Sequence, residues 1–352
     1  MDAIVITNAA AICADGLSKD ERIVRGKSFY FGKIESEFPE ISDEKYNLRC
    51  NRILKYLVDK LDLSEYDKDE IGVVIATTNS GIEEFETTEN KHHAELGNPA
   101  EFLKKYLGLN NYAASVSTAC TSGIKAFSLA RKLLENNICK AVITGGIDTV
   151  ASMPVYGFDA LEVLSRDKTN PFSRNRSGIS IGEAGALFLL EKNKDGIKIL
   201  GIGETSDAYH AATPDPDGIQ AAAAIELALN DAGLNAEDVD YINLHGTGTI
   251  SNDIMEANAV YKIFGGSTPA SSTKPLTGHC LGAAASIETY ICYEILKGVR
   301  KMPVHLYDGE YDNNIPKINL VNEDTPQEKD VKVCMCNAFG FGGTNAVLII
   351  GK

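Results

Sequence analysis

Cys120 stands in the run Ser117-Thr118-Ala119-Cys120-Thr121-Ser122-Gly123-Ile124, and its surroundings suit a nucleophile. A short apolar stretch precedes it, and Ile124, Phe127, Ala130 and Leu134 follow at helical spacing. A thiol on such a strand-to-helix turn meets free backbone N–H groups and the positive end of a helix dipole. Small neighbours leave room for a carbonyl to approach the sulfur. A single cysteine is more often an inert core residue, so other groups must supply the rest of any chemistry. Two segments do. His245 ends an apolar stretch and opens Leu244-His245-Gly246-Thr247-Gly248-Thr249, which aims an imidazole at a cleft. Lys274 lies five residues before His279, and a helix of small residues follows. Histidine at a helix N-terminus is biased toward neutral imidazole, a hydrogen-bonding group at pH 7.

Positioning these groups takes alternating strands and helices, and the chain reads as α/β. Strand-like segments fall at 3–7, 71–77, 112–116, 141–145, 179–190, 198–203, 240–244 and 331–349. Helix-like segments fall at 51–61, 97–107, 122–135, 218–233, 252–263 and 281–297. Residues 178–190 and 337–349 are alike: each is a glycine-rich turn running into an apolar strand that stops near a lysine. That points to an internal duplication with its seam near 193–197, giving halves at 1–195 and 196–352.

The 352 residues are enough for two cores, and 44% hydrophobic with 24% charged residues is ordinary for a globular chain. A net charge of −15 argues against nucleic-acid binding. No apolar run reaches membrane-spanning length, and the N-terminus reads as a first strand. The eight cysteines are scattered without metal or redox spacing, which fits a cytoplasmic location. His92 and His93 follow Glu83, Glu84 and Glu86 and are expected on a solvated helix or loop. Gly201-Ile202-Gly203 is no nucleotide fingerprint.

Taken in order, the Cys120, His245, Lys274 and His279 motifs resemble the elongating β-ketoacyl-[acyl carrier protein] synthases of the thiolase superfamily. So do Asp207-Ala208-Tyr209-His210, the segment 171–183, and Asn337-Ala338-Phe339-Gly340-Phe341-Gly342-Gly343-Thr344-Asn345. The resemblance implies a thiolase-like fold, duplicated βα halves forming a layered αβαβα architecture. It implies decarboxylative Claisen condensation of an acyl group held on Cys120 with malonyl-[acyl carrier protein], giving a β-ketoacyl product two carbons longer. The N–H groups of Cys120 and Phe341 would form the oxyanion hole, and His245 and His279 would hold the enolate. Lys274 would orient a histidine with Glu256 as its ion-pair partner. Phe341 would gate the acyl pocket, and Thr247, Thr249 and Phe339 would meet the substrate. No resident cofactor is implied, because phosphopantetheine arrives on the carrier protein. No catalytic metal is implied either. Some relatives hold a structural monovalent cation where Asn243, Glu288 and Asn337 stand, although Cys336 replaces a hydroxyl common there.

The implied partners are an acyl carrier protein and a second subunit, an identical one in a homodimer; the alternative is that this chain is a subunit of a heterodimeric synthase that sets chain length with little activity alone. A thiolase-type coenzyme A acyltransferase fits less well, since those enzymes use a second cysteine. An acidic carrier would call for a basic patch, either at Arg49, Arg52 and Lys55 or at Arg174 and Arg176. His210 would be structural or face the carrier. The segment 78–111 is shorter than usual in the family, Ile250 replaces a proline, and Ser177 replaces an aspartate. These departures point to a specialised synthase, for a polyketide or polyene product, rather than to housekeeping fatty-acid elongation.

Overall fold

Apolar runs with little alternation need cover on both faces, and the chain supplies it with helices. The computed structural model describes residues 2–24, 27–327 and 330–352. The first half comprises β1 (Ile4–Cys13), β2 (Ser18–Val24), β3 (Lys27–Phe31), α1 (Arg49–Val58), β4 (Ile71–Ala76), α2 (Ile82–Thr88), α3 (Asn98–Leu107), β5 (Ala113–Val116), α4 (Ser122–Glu135), β6 (Ala141–Asp148), α5 (Ser152–Ala160) and β7 (Ala184–Lys192). The second comprises β8 (Ile197–Ser206), α6 (Ile219–Ala232), β9 (Tyr241–Asn243), α7 (Ile250–Phe264), β10 (Ala270–Ser271), α8 (Lys274–Thr277), α9 (Ala284–Leu296), β11 (Val333–Gly340) and β12 (Thr344–Gly351).

Strands β2 and β3 form a separate hairpin, and the other ten are ordered β10-β9-β11-β12-β8-β1-β7-β6-β4-β5. Outward from the β8–β1 junction the two sides repeat one pattern. Antiparallel β1–β7 and β7–β6 lead to parallel β6–β4 and β4–β5. Antiparallel β8–β12 and β12–β11 lead to parallel β11–β9 and β9–β10. The junction is thin: β1 meets β8 only at Val5 and Ile6. The halves are therefore two five-stranded sheets of identical topology.

Helices α4 and α9 lie between the sheets, in a core with Ile6, Phe188 and Leu348. On the outside, α1 and α3 cover the first sheet through Ile53, Leu54 and Leu103, and α6 and α7 cover the second through Ile225 and Val260. This is the layered αβαβα arrangement. The central helices approach closely at their N-termini: a Cβ on Gly123 of α4 would sit 2.8 Å from the backbone nitrogen of Ser286 on α9. Glycine there brings both helix starts to one place. Among the described residues no helix is long and apolar enough to cross a membrane.

Several expected elements differ in extent. The segment 331–349 is two strands, because a turn at 341–343 with positive φ at Gly342 and Gly343 folds β12 back on β11. The strand expected from 179 begins at Ala184, and Ile179, Ile181 and Gly182 make only single bridges. The helix expected from 281 opens with a 3-10 turn, Leu281–Ala283. His93 is buried, its ring bonded to Thr88 and Asn90, whereas His92 is exposed as expected. The glutamates before it are not free: Glu84 accepts from the Arg49 backbone at the start of α1, and Glu86 from those of Ser152 and Met153 at the start of α5.

Candidate active site

The nucleophile turn is held in a conformation that costs energy. Ala119 has φ of +53°, in the left-handed region, at about 1–2 kcal/mol for a residue with a Cβ. A local network offsets that. The Thr118 amide donates to Ser122 Oγ (2.8 Å), Ser122 Oγ donates to the Ala119 carbonyl, and Thr121 Oγ1 donates to the Thr118 carbonyl (2.7 Å). The result places Cys120, almost wholly buried, just before α4. Burial pushes its thiol up to about 11, and Lys274 together with the backbone N–H groups of Cys120 and Phe341 pulls the other way. Gly340 allows that approach: a Cβ there would lie 3.2 Å from the Cys120 nitrogen.

The second half delivers two imidazoles. His245 follows β9, and its ring stands 5.2 Å from that of His279, nearly perpendicular. Phe339 on β11 packs edge-on against His245 at 6.0 Å. Burial, reinforced by the Lys274 charge, holds both histidines well below the usual imidazole range, so both are neutral. Their tautomers are set from behind. Leu281 N–H donates to His279 Nδ1 at 3.1 Å, and Lys274 Nζ faces His245 Nδ1 at 3.4 Å. Each ring thus keeps its proton on Nε2, the nitrogen left for the cavity. One ligand atom from each of Cys120, His245 and His279 falls within 4.8 Å of the others. That set resembles a soft-metal site, but a metal needs a lone pair where these rings carry N–H, and their second-shell donors occupy the other nitrogen.

Lys274 corrects one expectation. Its partner is Glu288, at 2.5 Å, and it also donates to the His245 carbonyl. Glu256 instead accepts from the backbone N–H groups of His245 (2.8 Å) and Gly246 (2.6 Å) and from Asn337. The reason is placement: Lys274 opens α8, directly before α9 which carries Glu288, whereas Glu256 on α7 reaches back to the turn after β9. Burial pushes both carboxyls up to about 7. Asn243 Oδ1, Asn337 Oδ1 and Glu288 Oε2 are buried oxygens lacking a hydrogen-bond partner. The β9–β11 register pairs Asn243 with Cys336, so Asn337 turns to the opposite face of the sheet, where it donates to Glu256, and the three do not form one donor set.

A cavity of about 410 Å³ opens in front of these groups. Cys120, both histidines, Thr247, Thr249, Phe339 and Phe341 line it. Thr247 and Thr249 hydroxyls lie 3.0 Å apart, and Thr249 also caps α7 by accepting from the Asn252 amide. The Phe341 ring rests 5.7 Å from Phe158, a lining residue on α5 that sequence reasoning did not single out. Pro154 and Gly157 inside α5 hid that helix. His210 is exposed and lies outside the cavity lining.

The expected basic patches are neutralised in place. Arg49 pairs with Glu183 (2.7 Å), Arg52 with Glu84 (3.9 Å), Lys55 with Asp59 (3.5 Å) and Arg174 with Glu310 (2.6 Å). Arg176 is buried between Asp253 and Asp312. These residues hold elements together and leave no local excess of positive charge.

A buried thiol facing two fixed N–H donors suits transfer of an acyl group through a thioester, followed by attack of a stabilised carbanion: the work of a condensing enzyme. Comparison with known proteins agrees. Residues 57–196 match the Beta-ketoacyl synthase, N-terminal domain, and residues 197–304 the Beta-ketoacyl synthase, C-terminal domain. A 3-oxoacyl-[acyl-carrier-protein] synthase 2 of Staphylococcus aureus is 31% identical over 356 residues, covering 88% of this chain and 84% of its own length. Nodulation protein E of Rhizobium meliloti is 34% identical over 255 residues, 69% of this chain and 62% of its own. A chain of the solved complex of the ketosynthase ApeO with its chain length factor ApeC, from Xenorhabdus doucetiae, superposes with a TM-score of 0.94 at 35% identity, covering 99% of this chain and 98% of that one. This chain belongs to the β-ketoacyl synthase family, has its thiolase-like fold, and is an acyl-transferring condensing enzyme of fatty-acid or polyketide synthesis.

Proposed function

We propose that Cys120 is the acyl carrier of the reaction and that the second half generates the attacking carbanion. Cys120 Sγ attacks an acyl thioester delivered on phosphopantetheine. The new C–S bond forms as the old one breaks, and the thiol proton leaves with the pantetheine sulfur. The Cys120 and Phe341 amides, which already face the sulfur, serve the oxyanion of that step. A malonyl thioester then enters past Thr247 and Thr249. Loss of CO₂ leaves an enolate whose oxygen accepts from the two Nε2–H groups. Its carbon attacks the acyl group, and Cys120 departs as thiolate and takes up a proton. Lys274 and Glu256 position His245 from behind, and Phe341 gates the acyl pocket. No resident cofactor enters this scheme, since decarboxylation drives it.

The observation carrying this reading is the pinned pair of neutral imidazoles within reach of a buried thiol. Incubation with acyl-carrier and malonyl-carrier thioesters tests it. The expected product is a β-ketoacyl thioester two carbons longer with one CO₂ released. Release of free acetyl thioester without chain growth would contradict it.

We further propose that the protein works in a dimer, with an acyl carrier protein as its second partner. The likeness to the ApeO–ApeC complex favours a heterodimer with a chain length factor over a homodimer, and with it a polyketide or polyene product. The four half-buried residues of β5 end the sheet, leaving an edge for a neighbour. Light scattering on the protein alone and with a candidate partner subunit distinguishes the two assemblies.

A further inference from the structure

Helix α2 carries Glu84 and Glu86, and each carboxylate reaches the start of another helix. Residues two apart on a helix point about 200° apart, so the two reach opposite ways. Glu84 accepts from the Arg49 N–H at 2.6 Å, where α1 begins. Glu86 accepts from the Ser152 N–H (3.0 Å) through one oxygen and from the Met153 N–H (2.5 Å) through the other, where α5 begins. Helix α1 is fixed, with Ile53, Leu54 and Leu57 wholly buried over the first sheet. Helix α5 is held far less. Of its nine residues only Val155 and Asp159 are buried, and Gly157 lowers its intrinsic helicity. Its N-cap, Ala151, has no side-chain acceptor, and its first turn carries no acidic residue. The orphan N–H groups and the dipole at that end are therefore met from α2, 66 and 67 residues back along the chain. The other end of α5 enters the site. Phe158, in the last turn, packs against Phe341, and Phe158, Leu161 and Val163 line the cavity.

We propose that Glu86 is a positioning residue for acyl transfer: by capping α5 from α2 it fixes the wall that Phe158 presents to the acyl group, and with it the chain lengths that Cys120 accepts. This rests on the condensing reading above. Glu86 lies outside the cavity lining and acts through α5. With the cap lost, α5 loosens, Phe158 retreats from Phe341, and the room gained admits longer acyl groups. The imidazole pair is held separately, by Lys274 with Glu288 and by the Leu281 N–H, none of them on α2 or α5.

Loading of Cys120 from acetyl and decanoyl pantetheine thioesters, followed by intact-protein mass, provides the test, with decarboxylation of malonyl pantetheine measured alongside. Glu86 is exposed, so its variants should fold. Glu86→Ala should raise the ratio of decanoyl to acetyl loading about tenfold and keep decarboxylation within about twofold of wild type. Glu86→Gln, which leaves one acceptor oxygen for the two N–H groups, should give an intermediate rise. A Glu86→Ala ratio within about twofold of wild type would overturn the proposal. So would an equal fall in both loading rates and in decarboxylation, which is what a merely structural role predicts. Wild type that loads neither thioester would overturn the condensing reading itself, and this proposal with it.

Discussion

The two halves share one topology and use it for opposite ends. In the first, the tips of β4 and β6 are sealed against each other. Asp148 at the end of β6 accepts from Thr77 Oγ1, from Thr78 Oγ1 and N–H, and from Asn79 N–H, and it also receives Gly282 N–H. In the second, the matching tips of β9 and β11 stay open, and His245 and Phe341 follow them into the cavity. The central helices show the same contrast. The turn into α4 is short and strained and presents a sulfur. The longer path into α9 holds Lys274 and His279. A duplicated frame can thus devote one copy's strand ends to rigidity and the other's to chemistry, with one central turn from each meeting at the site.

The largest effect that sharpens this contrast is Cys120→Ala. Condensation should fall by at least about 10³-fold while malonyl decarboxylation continues, because the imidazole pair belongs to the other half. Equal loss of both activities would break the division. Asp148→Ala should destabilise folding by about 3–5 kcal/mol, leaving several buried donors unpaired, as denaturant unfolding would report. A loss under about 1 kcal/mol would mean the sealed tips contribute little.

Alkylation of Cys120 should quicken about tenfold per pH unit from pH 7 to 9, following a thiol raised to about 11. A plateau near neutral pH would show that the α4 dipole and the N–H groups outweigh burial. Below the unfolded imidazole pKa of about 6.5, stability should fall with pH, since buried neutral His245 and His279 resist the proton that the unfolded chain accepts. The smallest expected difference separates the two glutamates. Glu288→Gln strands the Lys274 ammonium and should cost about tenfold in decarboxylation, and Glu256→Gln, which keeps an acceptor for the backbone, about threefold. The reverse order would return Lys274 to Glu256.

What could be read in advance follows from where the signal resides. Helix α4 was legible because its apolar face repeats over 122–135 against a deep core, and Cys120, His245, Lys274 and His279 stand in local motifs. The ion pair was not, since Glu256 and Glu288 both sit on helices that reach the same turn and spacing along the chain does not say which arrives. Arg176 was expected at the surface because charge in a sequence carries no burial label, yet Asp253 and Asp312 hold it inside. Asp148 went unremarked: its donors lie about 70 and 134 residues away, a closure only the folded sheet creates.

The central claim is that Cys120 loads without help from the imidazole pair, which serves only the decarboxylative step. Intact-protein mass after exposure to an acyl-carrier thioester, then to malonyl-carrier thioester, tests it on wild type beside the His245→Ala/His279→Ala double variant. Both should gain one acyl group on Cys120, and only wild type should lose it when malonyl is added. A folded double variant that fails to load, or that discharges its acyl group as fast as wild type, would contradict the account.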